Sequence, residues 1–228
     1  FEVCYAGNNS GEGFGLARSL CGRNIVDPRS AEQGGLGEGY GQNTMPSSVY
    51  NMFKEGDTRR EGTVIVYADE AKKVAEMVAK GELPAGSAFQ VSDQQENYEG
   101  LGHYKIHPRK ETTSTVNPTD NYYNSWRIYR YADVLLMYAE ALIQTNGDKQ
   151  TIVKCINAVR QRANDSRGED AEAVSRVLTI PDKDLKMVTV NDDLLEAVKH
   201  ERRVELAMEY NRLYDLKRWN CYIETMNA

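Results

Sequence analysis

A helical pattern of apolar positions covers residues 129–143. Apolar side chains recur there at steps of three and four, which places them on one face of an α-helix: Ala132, Leu135, Leu136, Ala139, Leu142 and Ile143. Gly147 is expected to end this helix, and Asp148 to cap a second one. The second helix has its own apolar face, formed by Ile152, Ile156, Val159 and Ala163. A turn this short predicts an antiparallel hairpin of about 34 residues, the length of a tetratricopeptide repeat.

A second pair of helices is predicted after a long loop. Residues 165–190 are charged and contain Pro181, a composition typical of a loop. A third helix should begin after Asn191, and a fourth should follow a break near Tyr210. These two helices would form a second hairpin, with the loop inserted between the two hairpins.

The first part of the chain has the pattern of loops and short strands. Residues 1–5 and 63–67 are rich in β-branched and aromatic side chains, so both are predicted strands. Residues 7–47 are rich in glycine, asparagine and serine, which indicates a long loop. Residues 96–126 contain two prolines, and we expect loops there with a short strand around residues 104–106.

Two helices are also predicted within this first part. One covers residues 48–54, with Val49, Met52 and Phe53 on one side. The other begins after the N-cap Asp69 and ends at Gly81, after Lys80. Its apolar face consists of Ala71, Val74, Ala75 and Val78.

Glycine separates the chain into two parts of different character. Twelve of the 18 glycines fall within the first 62 residues, and only Gly147 and Gly168 follow Trp126. Glycine costs about 1 kcal/mol inside a helix, so the first part should be rich in loops and the last hundred residues can be helical. We therefore predict a mainly α protein. Tetratricopeptide-like helical hairpins in residues 127–228 pack against an irregular, loop-rich subdomain in residues 1–126, which has a few short strands and binds the ligand.

Charge and hydropathy argue against some classes of protein. The 28 basic and 34 acidic residues give a net charge of −6, which argues against a nucleic-acid partner. The apolar runs are far shorter than the roughly 18–20 residues that a membrane-spanning helix needs. The chain begins at Phe1 without a visible signal peptide, so we expect a piece of a longer protein.

The motifs of common catalytic and metal sites are missing from the sequence. The four cysteines have no CxxC spacing, and Cys4 and Cys21 are either a disulfide pair or separate thiols. His103 and His107 are four residues apart beside a proline, which disfavours a metal site on a helix. The glycine-dense residues 34–41 do not satisfy GxGxxG, and a turned loop that presents Tyr40 is the better interpretation. We predict no catalytic residue, metal ligand or cofactor.

Charged residues of both signs alternate near the C-terminus. Glu201 and Glu205 are one helical turn apart, and Arg202 and Glu205 are three residues apart. Asp215 and Arg218 are similarly spaced beside Trp219. Arginines among the carboxylates would hold them ionised, which suits a structural ion-pair network better than general acid catalysis.

Aromatic residues are abundant in the loops before the helices. The chain has 14 tyrosines, and rings beside glycine and asparagine offer flat apolar faces next to hydrogen-bonding groups, an arrangement that suits sugar rings. We nominate Tyr40, Tyr98 and Tyr104 as ligand-binding residues. For any single ring, ordinary packing remains the alternative.

Six short motifs follow one another along the chain, in residues 39–60, 102–105, 130–141, 156–163, 201–206 and 215–219. In this order they resemble the C-terminal half of the SusD/RagB-like outer-membrane nutrient-binding lipoproteins. Their structural motif residues are Asp57, Arg59, Arg130, Asp133, Glu140, Glu201, Arg202, Glu205, Asp215, Arg218 and Trp219.

The resemblance implies a surface glycan-binding protein that is not an enzyme. Such proteins are lipid-anchored at the extracellular face of the outer membrane, where they serve polysaccharide utilization. They deliver oligosaccharides to a SusC-like TonB-dependent transporter. The resemblance also implies that the N-terminal half, with its lipid anchor, is missing from this chain.

One alternative function remains open within the same transporter complex. The chain would then be a peptide-binding protein, or a helical-repeat scaffold that binds only protein. Exposed rings in the loops of residues 31–53 and 94–107 favour glycan binding, whereas buried rings there favour the scaffold.

Overall fold

The structure is a computed structural model that describes residues 1–4, 22, 24–30, 35–36, 39–41, 45–91, 99–105, 125–166 and 184–227. The described residues form four short strands and seven helices. The strands are β1 (Glu2–Val3), β2 (Val64–Val66), β3 (Leu101–His103) and β4 (Trp126–Arg127). The helices are α1 (Ser47–Tyr50), α2 (Tyr67–Ala79), α3 (Tyr131–Gln144), α4 (Lys149–Asp165), α5 (Leu194–Glu205), α6 (Arg212–Arg218) and α7 (Tyr222–Met226). The prediction of a mainly helical protein with a few short strands is confirmed.

The chain divides into two compact units. Unit 1 contains the described residues within Phe1–Asn51 and Arg60–Ile128. Unit 2 contains those within Met52–Arg59, Tyr129–Asp170 and Ile180–Ala228. The short segment Met52–Arg59 therefore belongs with the helices, although it precedes them by about 70 residues. The assignment of ligand binding to residues 1–126 stays a prediction.

Unit 1 is built from antiparallel strand pairs and an apolar cluster. β1 pairs with β4, and β2 pairs with β3. α2 begins directly after β2 and contributes Val74 to the core. The buried cluster consists of Ile25, Leu36, Ile65, Tyr67, Val74, Leu83 and Phe89. Burial of these side chains from water stabilises the unit.

The start of α2 differs from the prediction. Val66 is the N-cap and makes no side-chain capping bond, while Asp69 lies in the first helical turn. The helix begins earlier because the Tyr67 amide donates to the Gly100 carbonyl oxygen at 2.9 Å and the Tyr67 ring packs on Phe89. Asp69 remains favourable there, because a negative charge in the first turn complements the helix dipole.

Two other predicted elements in unit 1 are misplaced. The strand expected at residues 104–106 lies at Leu101–His103, where it pairs with β2. Gly102 permits this register, since a Cβ there would lie 2.8 Å from Cζ of Tyr67. The first helix ends at Tyr50, four residues before the predicted end.

Unit 2 contains the predicted helical hairpin. α3 and α4 pack against each other, and α5 packs against both. Between α3 and α4 the Gly147 amide donates to the Leu142 carbonyl oxygen at 2.7 Å. The Asp148 carboxylate caps α4 by accepting from the amides of Gln150 and Thr151, as predicted. The buried cluster consists of Ala139, Ile152, Cys155, Ile156, Val188, Leu194 and Val198.

The later helices also lie close to their predicted positions. α5 begins at Leu194 with Asp193 as its N-cap. The break predicted near Tyr210 is present, because Met208 and Tyr210 adopt left-handed φ angles of 63° and 66°. Such angles are unfavourable for non-glycine residues inside a helix. α7 was not predicted, because it is short and contributes no buried residue.

α3 carries apolar residues on its exposed side as well as on its buried side. Tyr131, Val134 and Tyr138 are solvent-exposed, whereas Asp133 and Glu140 are buried. The helix thus departs from the simple amphipathic pattern on both faces. None of the described helices has the length and apolar character required to cross a bilayer.

Removing the α4 cap should destabilise unit 2. Asp148→Ala leaves two amides of the first turn without their acceptor, so the free energy of unfolding should fall by about 0.5–2 kcal/mol. Urea denaturation followed by far-ultraviolet circular dichroism measures this change. Asp165→Ala, at the opposite end of the same helix, is the control and should change stability by less than about 0.5 kcal/mol. Equal effects of the two substitutions would contradict the capping role.

Candidate functional site

The three nominated tyrosines have different surroundings. Tyr40 belongs to unit 1 and is 43% exposed. Tyr104 is half-buried against the apolar cluster of unit 1, so packing covers part of its ring. Tyr98 lies outside the described residues. Among the other rings of these loops, Phe53 is buried. The Tyr50 ring lies under the Arg60 guanidinium, with 4.9 Å between Cζ of Arg60 and the ring centroid. Of the two described nominees, Tyr40 is therefore the more exposed.

A buried ion-pair cluster binds described residues that precede Tyr40 in the sequence. Arg29 donates from Nε and Nη2 to Asp27, and from Nη2 to Glu70 on α2 at 2.6 Å. The Asp27 carboxylate also accepts from the Leu36 amide at 2.8 Å. These bonds join residues 27, 29 and 36 to a helix. The backbone four residues before Tyr40 is thereby fixed.

The charge of Asp27 depends on these neighbours. Burial by itself raises the pKa of Asp27, but the bonds from Arg29 and from the Leu36 amide outweigh burial and lower the pKa. The carboxylate therefore stays ionised at neutral pH, and the ion pairs persist.

A backbone hydrogen bond joins Ser30 and Gly35. The Gly35 amide donates to the Ser30 carbonyl oxygen at 2.8 Å. A Cβ at Gly35 would lie 2.9 Å from the same oxygen, so any other residue would disturb this contact. Residues 34, 37 and 38 lie outside the described residues, so the turned loop that presents Tyr40 stays a prediction.

The sequence interpretation missed Asp27, Arg29 and Glu70. A signal for them exists, because Asp27-Pro-Arg29 has the same spacing as the motif Asp57-Thr-Arg59. In both triplets the first carboxylate accepts from the backbone amide and the side chain of the arginine. The distant partner Glu70 has no comparable signal, since it lies 41 residues away.

In unit 2, one cluster of motif residues surrounds two glutamates of α5. Arg59 bonds to Asp57, to Glu201 and to Glu205, the last at 2.9 Å. Arg130 also bonds to Glu205. Other arginines complete the cluster: Arg160 on Glu201 and Arg162 on Glu205.

A second cluster connects α3, α5 and α6. Arg202 pairs with Asp133 at 2.8 Å and with Asp215 at 3.0 Å. Arg218 pairs with the same Asp215 and with Glu140. The half-buried Trp219 donates from Nε1 to Glu140 at 2.8 Å. The sequence spacing suggested that Arg202 meets Glu205 on the helix surface, but Arg202 turns instead to carboxylates of other helices.

Two carboxylates of these clusters, Glu205 and Glu140, have lowered pKa values. Burial by itself raises the pKa of Glu205, yet the charges of Arg130, Arg162 and Arg59 lower it to about 2. Burial likewise acts to raise the pKa of Glu140, but bonds from Arg218 and Trp219 lower it. A carboxylate with a lowered pKa is a poor proton donor at neutral pH. The arrangement therefore joins helices and does not prepare a general acid.

The thiols and histidines show no assembled metal site in the part of the chain that the structure describes. No group of three or more histidine, cysteine or acidic side chains is placed to hold a metal ion among those residues. His103 is buried in β3, and His107 lies outside the described residues. Cys4 is an exposed free thiol, and its possible partner Cys21 also lies outside them.

Arg59 and Arg162 share Glu205 but should differ in their contribution to stability. The Arg59 side chain is 10% exposed, so Arg59→Ala removes the ion-pair partner of the buried Asp57 and one partner each of Glu201 and Glu205. This loss should cost about 3–5 kcal/mol. The Arg162 side chain is 60% exposed, so Arg162→Ala should cost less than about 1 kcal/mol. Urea denaturation at pH 7 measures both. Equal losses would show that Glu205 does not depend on its buried partner.

The lowered pKa of Glu205 predicts acid destabilisation. Its folded pKa of about 2 lies below the unfolded value of about 4.3, so its contribution is complete above about pH 5 and is lost as pH falls through the folded value. A shift of this size corresponds to on the order of 3 kcal/mol. The difference in unfolding free energy between the wild type and Glu205→Gln should be constant from about pH 7 to 5 and shrink by about 1 kcal/mol or more at about pH 3. A difference that stays constant in acid would contradict this assignment.

Comparison with known proteins supplies the family. Residues 9–228 match the SusD family. SusD-like protein P2 of Formosa agariphila is 25% identical over 219 residues, which cover 96% of this chain and 38% of that protein.

Solved structures share the fold. Surface glycan-binding protein A from Bacteroides thetaiotaomicron matches with a TM-score of 0.71 at 20% identity, over 97% of this chain and 42% of that chain. Surface glycan-binding protein A from Bacteroides thetaiotaomicron in complex with laminarihexaose matches with a TM-score of 0.68 at 21% identity, over the same shares of the two chains. The present chain thus spans about two fifths of the length of these proteins. The resemblance stated from the sequence motifs is confirmed, and because the family match covers nearly the whole chain, the chain belongs to the SusD family.

Proposed function

We propose that this chain is part of a surface protein that captures oligosaccharide without cleaving it. The observation that carries the proposal is the exposed side chain of Tyr40, four residues after Leu36, whose backbone amide is bound to the Asp27–Arg29–Glu70 cluster. The similarity to a glycan-binding protein that holds laminarihexaose supports the same ligand class.

An ordered backbone close to Tyr40 in the sequence favours stacking on a sugar ring. A ring whose backbone must become ordered when a ligand binds loses conformational freedom, and that loss weakens binding. Here the Leu36 side chain is buried and its amide is bound to Asp27. The backbone at Leu36 is therefore ordered by folding, and the exposed part of Tyr40 offers an aromatic surface to a ligand.

The absence of catalysis is part of the proposal. Glycoside hydrolysis needs one carboxyl group with a raised pKa beside a second carboxylate. Glu205 and Glu140 have lowered pKa values, and both are bound to arginines. This chemistry supports a protein that binds sugar and releases it unchanged.

For the longer protein, we propose a place in nutrient uptake. The chain spans about two fifths of the relatives' length, so transport and anchoring concern more than these residues. The protein would be lipid-anchored at the extracellular face of the outer membrane and deliver glycan to a SusC-like TonB-dependent transporter. The family resemblance supports this location and partner.

One observation favours the alternative of a protein-binding scaffold. Tyr131 is 76% exposed on α3, and Val134 and Tyr138 extend the same apolar side. Exposed aromatic side chains are typical of protein interfaces. This surface is compatible with glycan capture, because Tyr40 belongs to the other unit.

A glycan-array screen, followed by measurement of new reducing ends, tests the proposal. Binding without release of reducing ends supports capture, with laminarihexaose as one of the arrayed sugars. Release of reducing ends would overturn the non-catalytic assignment. Absence of binding to every glycan would favour the protein-binding scaffold.

Tyr40→Ala should weaken glycan binding while leaving the fold intact. Loss of the stacking face should lower affinity at least about tenfold, which corresponds to roughly 1.4 kcal/mol. The exposed position limits the change in unfolding free energy to less than about 1 kcal/mol. Isothermal titration calorimetry and urea denaturation measure the two effects.

Tyr131→Ala is the matched control, since it removes an exposed tyrosine from unit 2. It should leave glycan affinity unchanged. Equal loss of affinity in both variants, or a large loss of stability in Tyr40→Ala, would refute the role of Tyr40 as a binding platform.

A further inference from the structure

Unit 2 contains an open polar pocket that is distinct from the Tyr40 segment. Its volume is about 440 Å³, within the range of roughly 300–1,000 Å³ that is typical of small-molecule sites. α4, α5, residues 54–55 and residues 185–188 contribute to its walls. All of these belong to unit 2, so the pocket is a feature of one compact unit.

The segment of residues 185–188 is firmly attached to α4. The Asn157 side chain donates to the Val188 carbonyl oxygen and accepts from its amide, both at 2.8 Å. Asn164 makes the same pair of bonds with Leu185. Arg160, between the two asparagines, donates to the Lys186 carbonyl oxygen at 2.8 Å and to Glu201. This wall is thus fixed before any ligand enters.

Most acidic groups of the lining are already engaged. Asp192 accepts from the amide and hydroxyl of Thr189, and Asp193 caps α5. Glu196 pairs with Lys199 at 2.7 Å. Glu55 is the fourth acidic residue of the lining. Backbone amides and a lysine therefore offset much of this negative charge.

The ammonium groups of two lysines of the lining, Lys54 and Lys186, make no hydrogen bond or close ion pair with a protein group in the described part of the chain. Hydrogen bonds from Thr189 lower the pKa of Asp192, and the charge of Lys186 lowers it further. Both lysine side chains are exposed and line the pocket. Two ammonium groups without a close protein partner favour an anionic ligand group, which forms stronger hydrogen bonds than a neutral one.

His200 lines the pocket near the positive charges of Lys54 and Arg160. Burial lowers its pKa, and the charges of Lys54, Arg160 and Arg59 lower it further, to about 4, against the opposing charge of Asp57. The imidazole is therefore neutral at pH 7 and offers a hydrogen bond without a charge. The surrounding charges favour an anion on this side.

We propose that this pocket binds the carboxylate of a small organic acid, with Lys54 and Lys186 as the groups that recognise it. Ala197, Met187 and Val188 supply an apolar surface for the rest of the ligand. An acidic sugar such as a uronic acid fits both the volume and the charge. The site does not involve Tyr40, so it adds a second determinant of ligand choice.

The test compares three probes on the full chain by isotope-edited NMR titration. Glucuronate carries the carboxylate on a sugar ring, glucose lacks the carboxylate, and alanylalanine carries the carboxylate without a sugar. We expect glucuronate to shift the amide signals of Met187, Ala197 and His200, and glucose to leave them unchanged. If alanylalanine shifts the same signals, the result would support recognition of the carboxylate and would identify a peptide as a second source of that group.

The double variant Lys54→Gln/Lys186→Gln should bind glucuronate at least about tenfold more weakly. Lys149→Gln/Lys217→Gln makes the same change in net charge at exposed lysines outside the pocket, and its affinity should stay within about twofold of the wild type. All four lysines are exposed, so the fold should survive both substitutions.

Three outcomes would overturn the pocket assignment: equal binding of glucose, absence of binding by both acids, or equal weakening in the two double variants. Each can be distinguished from a failure of glycan capture. Capture is measured by oligosaccharide binding and its loss in Tyr40→Ala, and that readout does not involve the pocket lysines.

Discussion

Both units depend on a buried arginine that forms two kinds of ion pair. One partner is the aspartate two residues before the arginine, and the other is glutamate on a helix. In unit 1 the residues are Asp27, Arg29 and Glu70. In unit 2 Arg59 connects Asp57 to two glutamates of α5. Leaving one partner of such a buried group unpaired costs roughly 3–5 kcal/mol. Each loop therefore docks in the arrangement that brings all partners together, and the ion pairs specify position as much as they stabilise.

This constraint fixes described backbone segments in a part of the chain that is rich in glycine. Leu36 is an example, because its backbone amide is bound to the Asp27 carboxylate within the arginine cluster. The same pairing lowers the pKa values of Asp27 and Glu205 and keeps these two carboxylates ionised, which makes them poor proton donors.

The two candidate sites would recognise different properties of a ligand. An exposed tyrosine in unit 1 offers an apolar face and discriminates weakly between neutral sugars. The pocket in unit 2 is lined by two lysines that make no close ion pair within the described residues, and such groups would select for negative charge. Each property would be recognised separately, because Tyr40 and the pocket belong to different units.

The sequence by itself determined the α3–α4 hairpin, the Asp148 cap and the break before α6, because helical periodicity, capping and helix ends depend on residues within a few positions of one another. Family membership also followed from motif order along the chain. The tertiary structure alone decided the register of β3, the start of α2 at Tyr67, and the burial of Asp133 and Glu140 on α3. The pocket lysines likewise became neighbours only through folding. These features depend on contacts between residues tens of positions apart, and such contacts leave no local pattern in a single sequence.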